Sequence, residues 1–322
     1  MINSKQIGKT KQSSNLDKII LLLALMTSLA SNSAWLSDMI SQLDLLVHFQ
    51  VQYAWVIAIF TIALIYRRKF FWAIIIALLL IPILARIIPL YVVDTDTSLE
   101  PEISLLSSNI GYTNINYSSL IDVTKRIQPD VLIVQEATDD CSKALTELHS
   151  IYPYRVLQPE PGAKGMLMLS KKPLLNSKVV IHPLTKHITI SAHIKLGDSL
   201  LHLVAAHPFR PGLRHGTHIL ENELGAISKL ILENKSNTIV IGDLNTTMWS
   251  NVYKDFVNKC ELSNLRQGRG VMASWNRFIP WLSAIPIDHC LVGENLVGEN
   301  FELLPIKGAD HCAMRAVIKF AD

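Results

Sequence analysis

Eight polar side chains of this 322-residue chain recur where apolar runs stop. Asn109 closes ISLLSSNI, Glu136 follows VLIVQ and His207 closes LLHLVAAH. Asp243 and Asn245 close NTIVIGDLN, Asp288 stands beside His289 in IDHCLV, and Asp310 and His311 precede CAMRAVIKF. A carboxylate after an apolar run is costly to bury unless it binds a cation or is hydrogen-bonded. Each has a plain reading when taken singly. Glu136 reads as a strand-end surface residue, Asp243 as a helix cap and His311 as a satisfied core histidine. Their joint recurrence at strand ends, where α/β folds build their sites, favours one shared site. Oxygen ligands in a chain with only four Cys suit a hard cation, Mg²⁺ or Mn²⁺. Such cations keep waters and bind phosphates. An Asp beside a His then suggests phosphoryl transfer to water.

The elements that must hold these groups alternate in type. Short apolar runs at 103–110, 130–137, 165–170, 187–196, 200–207, 237–245, 287–292 and 312–320 read as strands. Several are apolar throughout, as in strands covered on both faces. Between them, Ser119–Gln128 places Leu120, Val123 and Ile127 on one helical stripe and stops before Pro129. Thr217–Asn234 does the same with Leu220, Leu224, Ile227 and Ile231. The fold class is α/β with mixed sheets, over residues 103–322.

The constellation resembles the endonuclease/exonuclease/phosphatase superfamily. The motifs match in the family's order over about residues 103–320: SSNI with Asn109, VQE with Glu136, AHPF with His207, GDLN with Asp243 and Asn245, PIDH with Asp288, and ADH with Asp310 and His311. The resemblance implies a four-layer α/β/β/α sandwich of two mixed sheets. It implies Glu136 as the main metal carboxylate, with Asn109 and Asp310 beside it. Asp243 would position or deprotonate the attacking water, and Asn245 would hold a phosphate oxygen. His311, oriented by Asp288, would contact the scissile phosphate. His207 would stabilise charge there or protonate the leaving group.

Peripheral residues are more open. Arg210 and Arg214, after His207, are either a phosphate clamp or solvated loop charges. Trp275 in SWNRFIPWLSAIPIDH lies in a Pro- and Trp-rich loop, like that of membrane-anchored bacterial members of the family. With Phe278, Ile279 and Trp281 it either touches a substrate or membrane surface or packs within the loop. Cys290 and Cys312 each follow a site Asp by two residues and are either a disulfide or two buried thiols.

Apolar residues concentrate at the other end of the chain. Mean hydropathy is +0.28, and residues 18–93 hold only seven charges. A spanning helix needs about 20 mainly apolar residues. Two to three spans are expected, near 19–37, 45–66 and 70–90; the first reads as a helix or the apolar part of a signal peptide. Arg86, near the far end of the third, is expected to snorkel. Lys5, Lys9, Lys11 and Lys18 precede the first span, and Arg67, Arg68 and Lys69 lie between the second and third. Positive residues prefer the cytoplasm. The chain therefore reads as an integral protein of the inner or plasma membrane (1–93), a linker (94–102) and an extracytoplasmic catalytic domain (103–322).

The expected partners are the lipid bilayer and a phosphoester substrate: nucleic acid, phospholipid or a small phosphoester. No protein partner is expected. The net charge is +3, and residues 101–322 carry 22 basic and 21 acidic residues, which gives little support to phosphate-backbone binding. The alternative class is a non-catalytic receptor or scaffold that keeps the fold.

Overall fold

The computed structural model describes residues 4–37, 39–92, 103–212, 215–279 and 283–321. The chain divides into two compact units, Met1–Pro89 and Leu90–Asp322. The expected linker at 94–102 lies outside the described residues.

The first unit is helical: α1 (Ser4–Ser31), α2 (Ala34–Ser37), α3 (Gln50–Tyr66), α4 (Phe70–Leu78) and α5 (Ile81–Ile87). Ile20, Ala24, Ile57, Leu64, Ala73 and Ile76 form its interior, while Leu22, Met26, Ile59, Ile62, Phe71 and Ile74 face outward. Two stretches, Ser41–Tyr66 and Phe70–Tyr91, are long and apolar enough to cross a membrane. The helices are interrupted at two points. The first segment does not run as one helix to residue 37; a turn at Asn32–Ser33 ends α1. The third is broken between α4 and α5, where Pro82 in the first turn of α5 removes a backbone donor. The Arg86 guanidinium donates to the Ser31 carbonyl, the Asn32 side chain and Gln50.

The second unit holds two six-stranded mixed sheets. Strands β1 (Ile103–Asn109), β2 (Val131–Gln135), β3 (Tyr154–Gln158) and β4 (Met166–Ser170) belong to the first. Strands β5 (Leu175–Ile181), β6 (Ile188–Leu196), β7 (Ser199–Ala205), β8 (Thr238–Asp243), β9 (Ser263–Asn264) and β10 (Asp288–Val292) make the second. The chain then returns to the first sheet as β11 (Leu296–Pro305) and β12 (Cys312–Phe320). The orders are β11-β12-β1-β2-β4-β3 and β5-β6-β7-β8-β10-β9. In the first sheet β1 and β2 run parallel; in the second, β7 and β8 do.

Three apolar layers fill the unit. Ile103, Leu105, Ile133, Ile190, Leu203, Ile241 and Met314 pack between the two sheets. Outside the first sheet, Leu106, Leu132 and Leu169 pack under α6 (Ser118–Ile127) and α7 (Asp139–Ala144). Outside the second, Val204, Val240 and Leu291 pack under α8 (Gly216–Ile231) and α9 (Asn251–Cys260). This is the expected four-layer sandwich. Wholly apolar strands such as VLIVQ are explained by cover on both faces. Cys290 and Cys312 sit in different sheets, and both are free thiols.

Polar groups inside the second sheet are satisfied locally. His202 on β7 lies between the Ser191 and Thr238 hydroxyls, at 2.8 and 3.1 Å. Burial, aided by His193 stacked on it, pushes its pKa down to about 4. Between about 4 and its ordinary value near 6.5, the unfolded chain binds a proton that the folded chain refuses. His202 therefore makes stability fall as pH drops through that window. Urea unfolding followed between pH 7 and pH 4.5 should show a shallower pH dependence in His202→Gln than in the native chain.

Candidate active site

The carboxyl ends of β1, β2, β7 and β8, the start of β10 and the approach to β12 meet at one end of the sandwich. Asn109 closes β1 and Glu136 follows β2 directly. Asp243 closes β8, and Asp288 opens β10 opposite it in register. His311 stands one residue ahead of β12, in the other sheet.

Register dictates the electrostatics. Directly opposed residues of an antiparallel pair project to the same face about 5 Å apart, and like charges there repel. Asp243 and Asp288 are both buried. His311 relieves the conflict: its Nδ1 is 2.9 Å from Asp288 Oδ2 and its Nε2 is 3.7 Å from Asp243 Oδ2. Burial opposes charge on the imidazole, but the Asp288 and Asp243 carboxylates outweigh it and lift its pKa to about 10. Burial acts against charge on Asp288 too, yet His311 and the Ser274 hydroxyl hold it below the usual carboxylate range. Burial and the neighbouring Asp288 push Asp243 up to about 7, against the pull of His311 and of bonds from the Asn245 amide and Asn109.

A second set of bonds ties in the metal-type donors. Asn109 Nδ2 donates to Asp243 Oδ2 at 3.0 Å and to Glu136 Oε1 at 3.2 Å. Its Oδ1 accepts from the Gly111 amide, and the Tyr112 amide donates to Glu136 Oε2. A Cβ on Gly111 would lie 3.9 Å from Asp310 Oδ1, so this turn runs between the Glu136 and Asp310 carboxylates. Trp275 Nε1 donates to Asp310 Oδ2 at 2.8 Å. His207 Nε2 lies 3.7 Å from Asp243 Oδ2 and 3.9 Å from Glu136 Oε1. Burial and the His311 charge lower its pKa to about 4, so it is neutral at pH 7.

The backbone is bent to make this fit. Glu136 and Asn245 adopt positive φ, 57° and 53°. For residues other than glycine each such angle costs about 1–3 kcal/mol and tends to mark functional sites. Gly242 is required by a close approach: a Cβ there would stand 2.1 Å from the Ala206 carbonyl, at a φ of 144°.

The expected set is therefore brought together with exceptions. Asn109, Glu136, His207, Asp243, Asp288 and His311 form one connected group, and Asp310 joins it through the Gly111 turn and Trp275. Asn245 turns its Nδ2 to the Pro208 carbonyl at 3.0 Å, so in this state it braces the loop after His207. Arg210 is solvent-exposed. Arg214 and Trp281 lie outside the described residues.

Several supporting residues carry no sequence signal. Ser274 Oγ accepts from the Asp288 amide at 3.1 Å. Arg266, fully buried, donates to the Asp288 carbonyl at 2.8 Å and reaches His289. Glu223 on α8 accepts from the Phe209 amide at 2.7 Å and from Thr185. His187 packs edge-on against His207, 5.3 Å between ring centres. A sequence does not distinguish Arg266 and Glu223 from surface charges, and His187 is simply the first residue of the 187–196 run.

Two donor sets could hold a cation. Asp243, Asp288 and His311 converge within 4.8 Å. That group is already neutralised: His311 carries a proton and spends its Nδ1 on Asp288, so it offers a cation little. Glu136, Asp310 and the Asn109 amide oxygen are hard donors; among the described residues Glu136 has only His207 near it as a basic group, at 3.9 Å.

The sequence model of the Endonuclease/Exonuclease/phosphatase family matches residues 106–311, and the chain belongs to that family. Comparison by sequence with curated proteins finds no match. Solved structures share the fold. TDP2 from D. rerio, complexed with single-strand DNA product, superimposes with a TM-score of 0.56 at 16% identity, covering 67% of this chain and 98% of that one. An endonuclease/exonuclease/phosphatase protein from Beutenbergia cavernae gives 0.57 at 14%, covering 69% and 72%. The human Nocturnin catalytic domain with bound sulfate gives 0.51 at 17%, covering 69% and 96%.

Replacing Asp288 by Asn removes the carboxylate that does most to charge His311. Its imidazole titration, read by NMR, should then move down from about 10 toward the ordinary histidine value. A His311 unmoved by Asp288→Asn would show that the pair does not set its charge.

Proposed function

We propose that the chain is a membrane-anchored, divalent-metal-dependent hydrolase of phosphoester bonds, with its catalytic unit outside the cytoplasm. The observation that carries this reading is the buried Asp243, held within 3.7 Å of both His207 and His311. A carboxylate with a pKa of about 7 is ionised in a large fraction of molecules at neutral pH, yet basic enough to take a proton.

Glu136 and Asp310, with Asn109, would hold Mg²⁺ or Mn²⁺. Bound there, the cation would supply charge neutralisation for phosphoryl oxygens and acidify coordinated water. The chain's own groups do the rest. Asp243 Oδ2 accepts the proton of the attacking water. His311, charged and oriented by Asp288, stabilises the negative charge that develops on the phosphoryl oxygens. His207, neutral, would donate a hydrogen bond to the same group, and the leaving oxygen would take its proton from water. Asn245 fixes the loop that carries His207; the expected phosphate contact would exchange its bond to Pro208. Arg210 and Arg214 remain candidate phosphate contacts in the loop beyond.

Membrane anchoring is supported by the two apolar stretches and by the outward-facing Leu, Ile and Phe side chains of the first unit. The basic group at Arg67–Lys69 supports the orientation. A nucleic-acid substrate draws support from the D. rerio TDP2 complex with DNA product. The near-zero charge of residues 101–322 argues instead for a phospholipid or small phosphoester.

The purified chain should hydrolyse bis-p-nitrophenyl phosphate in Mg²⁺ or Mn²⁺, and EDTA should abolish the reaction. Asp243→Ala and His311→Ala should each lower kcat by about 10²–10⁴. Near-native turnover by either variant would refute the assignment, and an inert native chain would favour the non-catalytic receptor.

A further inference from the structure

A histidine in a reactive site is usually oriented by whatever bonds its second ring nitrogen. His311 follows that rule through Asp288. His207 does not. Its Nε2 lies 3.7 Å from Asp243 Oδ2 and 3.9 Å from Glu136 Oε1, but its Nδ1 is buried with no hydrogen-bond partner among the described residues. With no acceptor at Nδ1, the proton of the neutral ring belongs on Nε2, facing the two carboxylates. The ring and the loop that carries it must be fixed by other groups.

A carboxylate fixes the loop. Glu223 stands in the inward stripe of α8 with Leu220, Leu224 and Ile227, and is 4% exposed. In that stripe a carboxylate is costly unless it is bonded. Both of its oxygens are bonded. Oε2 accepts from the Phe209 amide at 2.7 Å, two residues past His207, and Oε1 accepts from the Thr185 hydroxyl. Thr185 Oγ1 accepts in turn from the His187 amide at 3.2 Å. The His182 amide closes this turn by donating to the His187 carbonyl at 2.9 Å. One buried carboxylate thus ties the loop after β7 to the turn before β6. At the start of α8 the contact is also close: a Cβ on Gly216 would stand 2.9 Å from the Pro211 carbonyl carbon.

Packing fixes the ring. Strands β6 and β7 pair antiparallel with Ile190 opposite Ala205, a register that sets His187 across from the end of β7. The His187 ring meets His207 edge-on, 5.3 Å between centres at 69°, and lies 5.6 Å from the Phe209 ring. Its Nδ1 is buried without a partner among the described residues, so at that atom it offers shape rather than a bond. Burial, with His207 beside it, lowers its pKa to about 4, so two neutral rings meet at pH 7.

We infer that Glu223 and His187 are positioning residues of His207: Glu223 sets its loop and His187 sets its ring, so that Nε2–H points where the phosphoester binds. The inference rests on the reading of the chain as a phosphoesterase.

The test uses the full chain with bis-p-nitrophenyl phosphate and Mn²⁺. Glu223→Ala and His187→Ala should each lower kcat by roughly 10-fold to 10²-fold with KM little changed, as a misplacement of about 1 Å does. Glu223→Gln keeps an acceptor for the Phe209 amide and His187→Phe keeps an aromatic ring, so each should recover most of the loss. In a His207→Ala background neither alanine change should cost anything further, because both act through that ring. Losses that add in that background overturn the inference. Native turnover in either alanine variant overturns the assignment of that residue. A second readout needs no turnover. With ¹⁵N-labelled histidine, the imidazole shifts should report His207 protonated at Nε2 alone in the native chain, and a mixture of tautomers in Glu223→Ala; His207→Ala identifies the signals by their loss. An unchanged His207 signal in both alanine variants overturns the inference too. A native chain that hydrolyses no ester rejects the phosphoesterase reading, and the tautomer signal then decides the positioning by itself.

Discussion

Two aspartates face each other across β8 and β10, in register and out of contact with bulk water. Left alone, that pair would repel itself and pay to be buried. His311 makes it tenable by bonding to Asp288 and standing close to Asp243. The compensation is uneven. Asp288 gains a direct bond and stays ionised, whereas Asp243 gains only proximity and is pushed up to about 7. In the proposed reaction one carboxylate would be an orienting anion and the other a base. The division of labour thus comes from strand register and one imidazole.

The imidazole comes from the other sheet. His311 precedes β12, while both aspartates belong to the second sheet. Asn109 makes the same crossing, from β1 to Asp243. The site therefore exists only while the two sheets stay packed through Ile133, Ile190, Ile241 and their neighbours. The sandwich core and the reactive cluster are one mechanical system. The positive φ at Asn245 is favoured locally, by its amide's bond back to Asp243 Oδ1, whereas that at Glu136 rests on the surrounding packing.

Much of this was legible before any coordinates. Strands covered on both faces announce themselves as unbroken apolar runs, and the reactive residues sit where those runs end. The strands missed were β3, β5, β9 and β11, none of which is an unbroken apolar run: β5, LNSKVVI, is an edge strand exposed along most of its length, β3 is at most half-buried, β9 is two residues long, and β11, LVGENFELLP, is interrupted by GEN. The supporting residues were illegible for another reason. Arg266, Glu223 and Ser274 are buried by tertiary contacts far along the chain, and a charged residue in a single sequence looks the same on either side of the surface. In the helical unit, length and hydropathy predicted spans but not their interruptions. Pro82 decided where a helix breaks.

The account stands on two adjacent charge groups with different tasks: His311 with Asp243 and Asp288 managing protons, and Glu136 with Asp310 and Asn109 managing a cation. Anomalous diffraction from crystals soaked in Mn²⁺ separates them directly. The account predicts a manganese peak against Glu136 and Asp310, with the His311–Asp288 bond intact. A peak among Asp243, Asp288 and His311, with that bond broken, would contradict it.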